Sequence, residues 1–266
     1  KKAREQVSHL LGCRAADVVW TSGATESNNL AILGVVRAFC SPAVRGGEKP
    51  HLITQATEHK AVLEVFEAAL EWGAEMTVLD VDKDGLISLE DLRRAFKPST
   101  VMVSIMMANN EVGAVQPVKE IGELCHERGV IFHTDAAQSA CKYAFNLQNL
   151  KSDMLSLSGH KIYAPKGIGA LIIRKINRPF DLKPIQFGGE QEQRLRPGTL
   201  NVPGIVGFGE HGFAEKHASQ RHAVKPADQL AVLIRFDGMR QASVVKRAIR
   251  GLHLGQNPCS ALVPTR

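Results

Sequence analysis

Val101-Met-Val-Ser-Ile-Met106 is a short apolar run, and past a polar stretch it is followed by the helical pattern Pro117-Val-Lys-Glu-Ile-Gly-Glu-Leu-Cys-His-Glu-Arg128. Beyond Gly129 comes a second apolar run, Val130-Ile-Phe-His133. Strand, helix and strand in that order mark parallel strands joined by a crossover helix. The alternation continues outward as far as Asp17 and Arg174. Strands are expected at Val18 to Thr21, Leu52 to Thr54, Met76 to Leu79, Met154 to Leu157 and Ala170 to Arg174. A helix is expected through Asn28, Leu30, Ile32 and Val36, and another from Lys60 to Leu70, stopping at Trp72-Gly73. The fold class this predicts is α/β, a mainly parallel sheet flanked by helices in three layers, α/β/α. Ligands of such sheets sit beyond the carboxyl ends of the strands. The segments at and just past the strand ends are polar here: Thr21-Ser22-Gly23-Ala24-Thr25, Asn109-Asn110-Glu111, Asp135-Ala136-Ala137-Gln138 and Ser158-Gly159-His160-Lys161.

The 266 residues are 44% apolar and 23% charged, a composition that buries a substantial core and excludes disorder and fibre. No apolar run approaches the ~20 residues of a membrane-spanning helix. Lys1 to Leu10 is charged and amphipathic, unlike a secretory signal. The net charge of +6 suggests nucleic acid until it is divided by position. Residues 211–266 hold nine Lys/Arg against three Asp/Glu, whereas residues 1–210 hold 24 of each sign. The body therefore has no basic field, and no nucleic-acid or membrane partner is expected. Five cysteines, Cys13, Cys40, Cys125, Cys141 and Cys259, lack disulfide-framework or zinc spacing, so reduced thiols and no metal site are expected. Asp80-Val-Asp-Lys-Asp-Gly-Leu-Ile87 imitates the start of a calcium loop. However, Glu90 stands one place early, and a strand precedes it where a helix is required, which leaves a polar strand-to-helix turn as the better reading.

Three segments carry candidate chemistry. Ser22-Gly23-Ala24-Thr25 joins a strand to a helix, where backbone N–H groups and the helix's positive end suit a phosphate; a tight connection capped by Thr25 is the alternative. Asp135 ends an apolar strand, where a carboxylate needs a partner such as a protonated ring nitrogen, or else caps the next turn. Gln138 falls on the same side if that turn is helical. Lys161, on a short glycine-flanked loop, is placed for imine formation or simply solvates the surface. Phosphate cradle, acid and imine-forming lysine together are what pyridoxal phosphate requires of a protein.

In their order, Thr21 to Asn29 (Thr-Ser-Gly-Ala-Thr-Glu-Ser-Asn-Asn), Thr57-Glu-His59-Lys-Ala-Val-Leu63, Asn109-Asn110-Glu-Val-Gly113, His133-Thr-Asp135-Ala-Ala-Gln138-Ser139 and Ser158-Gly-His160-Lys161-Ile-Tyr163 closely resemble the cysteine desulfurases. These belong to the class V aminotransferase branch of the fold type I pyridoxal-phosphate enzymes. The likeness runs from Lys1 to about Gly209. It implies pyridoxal 5'-phosphate as cofactor, with Lys161 as its covalent anchor and as the acid and base for the substrate's α-proton. It further implies that Asp135 keeps the ring nitrogen protonated, that His59 stacks on the ring and assists proton transfer, and that Asn110 and Gln138 bond the region of the ring oxygen. Ala24, Thr25, Ser158 and His160 would hold the phosphate. Thr199, in Arg196-Pro-Gly-Thr199, would reach the phosphate of a neighbouring subunit, which implies a homodimer. Arg194 and Arg196 would line the same mouth, or are plain surface charge.

The implied reaction converts L-cysteine to L-alanine and leaves the sulfur as a cysteine persulfide, to be passed to a scaffold for iron-sulfur clusters or to thiolation pathways. Alternatives are a selenocysteine lyase or other class V enzyme, and an inactive truncated paralogue that binds only cofactor or partner. The chain departs from the family at both ends. Its start falls inside or after the family's first segment; an intracellular, cytoplasmic location is expected, with a mitochondrial address lost with that segment as the alternative. The division expected is a cofactor-binding large domain over 1–210 and a divergent basic tail over 211–266 in place of the small domain. Neither the nucleophilic cysteine loop nor the carboxylate-binding arginine of that small domain is found. Cys259 lacks the neighbours of the family loop, and the other four thiols fall in ordinary structural segments.

Overall fold

Aliphatic and β-branched runs, all but the third buried on both faces, form seven strands in the computed structural model, which describes residues 1–40, 48–140, 145–176 and 179–210. They are β1 (Val18–Thr21), β2 (His51–Gln55), β3 (Glu75–Leu79), β4 (Thr100–Ser104), β5 (Ile131–Asp135), β6 (Met154–Ser158) and β7 (Gly169–Ile173). Their order in one sheet is β1-β7-β6-β5-β4-β2-β3. The pairs from β6 to β3 are parallel, while β7 runs antiparallel to both its neighbours. All seven expected strands are present, with ends shifted by at most two residues.

The helices are α1 (Lys2–Leu11), α2 (Ala24–Phe39), α3 (Lys60–Glu71), α4 (Leu89–Ala95) and α5 (Val118–Arg128), with a further helical stretch at 202–210. Alternate strand residues face opposite layers. Leu52, Met102, Ile131 and Leu171 pack against Leu30, Val35, Val62 and Phe66 of α2 and α3. Ile53, Val103, Phe132, Leu155 and Ile172 face Val7, Leu11, Leu92, Ile121 and Leu124 of α1, α4 and α5. Helix α2 is apolar on nearly every side because segment 180–183 covers its outer face; a Cβ on Gly34 would lie 2.7 Å from the Lys183 carbonyl oxygen.

The two buried histidines of the sheet pair across strands. His133 of β5 lies between two hydroxyls, Ser104 Oγ at 2.8 Å from Nδ1 and Ser156 Oγ at 2.9 Å from Nε2. His51 of β2 bridges Thr100 and Thr77 at 2.8 Å each. Burial pushes His133 down to about 3 and His51 down to about 4, so both rings are neutral. The exposed edge of β1 is closed by Glu192, whose Oε2 accepts the Trp20 N–H at 2.7 Å and whose Oε1 pairs with Arg4 at 2.6 Å. That arrangement removes an unpaired edge from the molecule's surface. Asp80 to Ile87 forms a closed turn after β3, in which Asp82 Oδ1 accepts the Asp84 and Leu86 N–H groups and Val81 bridges Ile87.

Candidate active site

The carboxyl ends of β1, β5 and β6 open on a cleft of about 590 Å³. Each wall comes from a strand end followed by a turn. After β1 the chain passes through Ser22 and Gly23 into α2, whose first turn carries no side-chain cap. Its leading N–H groups lack partners within the helix, and the helix dipole adds positive potential there. The N-cap is Gly23 rather than Thr25, so the cap alternative for Thr25 does not describe this turn. Space above Gly23 is open: an added Cβ would meet nothing within 4 Å. From below, Gly169 backs it so closely that a Cβ there would lie 2.5 Å from Gly23 Cα.

Asp135 closes β5 and caps the turn that follows, as the second sequence-based reading expects. Its Oδ1 accepts the Ala137 N–H at 2.9 Å, shaping the turn, and its Oδ2 accepts Asn28 Nδ2 at 2.8 Å. Burial raises the Asp135 carboxyl above its ordinary range, against the lowering effect of these two donors and of nearby His59. Lys161 sits in the short 3-10 turn Gly159–Ile162 directly after β6. Beside it, His160 Nδ1 lies 2.9 Å from Ser158 Oγ, and burial together with Lys161 and Lys166 lowers the His160 ring. His59 caps α3 through Nδ1, which accepts the Ala61 N–H at 3.0 Å, and its ring borders the cleft.

Ala24, Thr25, His59, Asn110, Asp135, Gln138, Ser158, His160 and Lys161 all line this cleft. Thr199 does not; it is exposed on the segment before helix 202–210. Arg194 pairs with Glu190 at the surface. Arg196 stands at the mouth, its Nε 2.7 Å from Oε1 of Glu26. Burial tends to raise Glu26, but the bonds from Arg196 and from the Ser22 N–H bring it below its ordinary value. Cys13, Cys40 and Cys125 do not border the cleft, and Cys141 and Cys259 lie outside the described residues. Two residues to which the sequence assigns no role act on Asp135. Asn28 donates a hydrogen bond to it, and buried Glu58 feels its charge. For Asn28 a signal existed: an amide on an otherwise apolar helix stripe needs a buried partner.

Residues 1–228 match the family model described as aminotransferase class-V, and the chain belongs to that family. Its relatives narrow the class. A mitochondrial cysteine desulfurase of Arthroderma benhamiae is 48% identical over 210 residues, which are 79% of this chain and 41% of that protein. The cysteine desulfurase IscS of Ehrlichia chaffeensis is 48% identical over 208 residues, 78% of this chain and 49% of that one. The solved structure of SspA in complex with cysteine is 44% identical with a TM-score of 0.74, over 80% of this chain and 59% of that chain. DndA from Streptomyces lividans is 40% identical with a TM-score of 0.73, over 83% and 61%. The chain thus spans about half the length of the curated relatives it matches. Among the described residues no helix is long and apolar enough to cross a membrane.

Proposed function

We propose that this chain is the cofactor-binding part of a pyridoxal-phosphate cysteine desulfurase. The observation that carries the proposal is the meeting of Lys161, buried Asp135 and the uncapped start of α2 in one cleft, the last more than 100 residues from the other two in the chain. The residues fit the group. An open, glycine-backed helix start suits a phosphate, a buried acid held by neutral donors suits a protonated ring nitrogen, and a lysine at the cleft suits a covalent anchor.

When bound, pyridoxal 5'-phosphate supplies an electron sink conjugated to the substrate's α-carbon. The protein's own residues do the rest. The backbone at Ala24 and Thr25, with the side chains of Thr25, Ser158 and His160, binds the phosphate. Asp135 holds a proton at the ring nitrogen, and Asn110 and Gln138 orient the ring through its oxygen. His59 borders the ring and assists proton movement. Lys161 Nζ anchors the cofactor, takes the α-proton of L-cysteine and returns a proton as alanine forms. The substrate's sulfur passes to an enzyme thiol, so that cysteine and thiol become alanine and persulfide. A scaffold protein for iron-sulfur clusters or thiolation is the next acceptor.

The same reading assigns 1–210 to the cofactor-binding domain and 211–266 to a separate basic tail. It also assigns Thr199 to the phosphate of a second subunit in a homodimer, in keeping with its exposure away from its own cleft. The position of Cys13, Cys40 and Cys125 away from the cleft favours a second reading, in which this chain alone binds cofactor without turnover.

The test is visible absorption of the purified chain with added pyridoxal phosphate, beside Lys161→Ala, followed by alanine release from L-cysteine. A cofactor band in the parent and none in the variant is the expected result. Equal spectra in both would overturn the reading of Lys161. A band without alanine release selects the second reading, and faster release from selenocysteine reassigns the substrate.

A further inference from the structure

Glu58 precedes His59 in the turn that leads from β2 into α3, and it is buried at 6% exposure without lining the cleft. Its Oε1 accepts the Met106 N–H at 2.5 Å. Its Oε2 is sealed from solvent and makes no aligned hydrogen bond, and neither do the two terminal atoms of the neighbouring Gln55, whose amide nonetheless lies close enough to lower Glu58 as a donor. A second carboxyl, Asp135 at the end of β5, acts on Glu58 by charge repulsion. Among the described residues, the groups acting on Glu58 are Gln55 from β2, the Met106 backbone after β4 and Asp135, and none is a cation. Asp135 by contrast receives hydrogen bonds from Asn28 on α2 and from the Ala137 N–H, and feels His59.

Two neighbouring buried carboxyls cannot both stay ionised in dry surroundings without a cation. One of them keeps a proton, and the donors decide which. Asp135 has a donor on each oxygen, the arrangement of an ionised carboxylate. Glu58 has one aligned donor, and its second oxygen adjoins the Gln55 amide, whose oxygen and nitrogen are both unbonded. The amide N–H group of Gln55 lowers Glu58 and its oxygen accepts from a protonated one, so Gln55 accommodates the proton that burial, the repulsion of Asp135 and the lack of a cation require. Burial acts in the same direction, pushing Glu58 well above the carboxylate range.

We propose that Glu58 is a positioning residue that keeps its proton at neutral pH, and that Asn28 is its counterpart holding Asp135 ionised, so that the cleft floor presents a single negative charge. Under the pyridoxal-phosphate reading, on which this consequence rests, that charge faces the ring nitrogen. The protonation states themselves concern only this chain's residues.

Infrared spectroscopy of the full 266-residue chain at pH 7, without cofactor and then with pyridoxal phosphate, tests this. A protonated-carboxyl stretch is expected that shifts when glutamate is carbon-13 labelled, disappears in Glu58→Gln and survives in Asp135→Asn. The labelled parent needs no substitution and so remains informative if a variant fails to fold. In Asn28→Ala, the carbon-13 aspartate signal of Asp135 should protonate about one pH unit higher, the effect of losing one hydrogen bond of about 1.4 kcal/mol to a charged group. Absence of a glutamate-derived band, its survival in Glu58→Gln, or its loss in Asp135→Asn would overturn the proposal. Failure of pyridoxal phosphate to bind, with the band present, would instead count against the cofactor reading alone.

Discussion

His133 makes the fold acid-sensitive by an amount set by its surroundings. The neutral ring has one N–H and one lone pair, so between Ser104 Oγ and Ser156 Oγ it donates to one and accepts from the other. A proton gained at either nitrogen would demand two acceptors and a buried charge at zero exposure. With the folded ring titrating at about 3 and the unfolded one at 6.5, the unfolded chain binds more protons between those values. Stability from this residue is therefore complete above about pH 6.5 and is lost as the pH falls. At pH 5 the loss is about 2 kcal/mol, from ~1.4 kcal/mol per pH unit of separation. Glu58 and Asp135, whose folded values are raised, act oppositely over the same range, so the effect must be read as a difference. The assay is urea unfolding at pH 7 and pH 5 for the parent and for His133→Gln. The parent should lose about 2 kcal/mol more than the variant between the two pH values. Equal losses, or a His133 titration near 6 by NMR of the labelled histidine in the parent, would refute the reasoning.

Gly169→Ala places a Cβ 2.5 Å from Gly23 Cα and 2.6 Å from the Leu157 oxygen, so a destabilisation of about 1–3 kcal/mol in urea is expected, with weakened phosphate binding. Arg196→Met leaves half-buried Glu26 unpaired beside the start of α2. Pyridoxal phosphate should bind roughly tenfold more weakly in a fluorescence titration, or by about 1.4 kcal/mol, and adding Glu26→Gln should restore it. Glu192→Ala strips Arg4 and the Trp20 N–H of their shared partner and should cost about 3 kcal/mol of unfolding free energy. Glu192→Gln, which still offers an acceptor to Trp20, should cost less.

Most strands were readable because they are buried on both faces, the edge strand β3 being the exception, so runs such as Val101 to Ser104 and Ile131 to Asp135 needed no alternation to stand out. The site was readable for a related reason: polar residues directly after such strands have few structural uses. Strand direction is a different matter. Nothing in Gly169-Ala-Leu-Ile-Ile173 tells a reversed strand from a parallel one, because the apolar pattern is the same either way. Glu58 was hidden by its neighbour His59, since a carboxylate in a polar turn reads as solvated until the Met106 backbone is found folded over it. The role given to Thr199 rests on resemblance alone, because the residue does not border the cleft of its own chain.

The one reversal in the sheet has a mechanical result. Ser158 pairs with Gly169, and the Gly159 N–H bonds the Ile168 oxygen at 2.9 Å, so the loop bearing Lys161 is tied shut at its base. Its anchor points belong to adjacent, fully buried strands, which fixes the base of the loop under the lysine. A residue inserted between Gly159 and Ile168 would displace the amine directly, whereas one inserted after β3, in the turn from Asp80 to Ile87, would leave it where it stands.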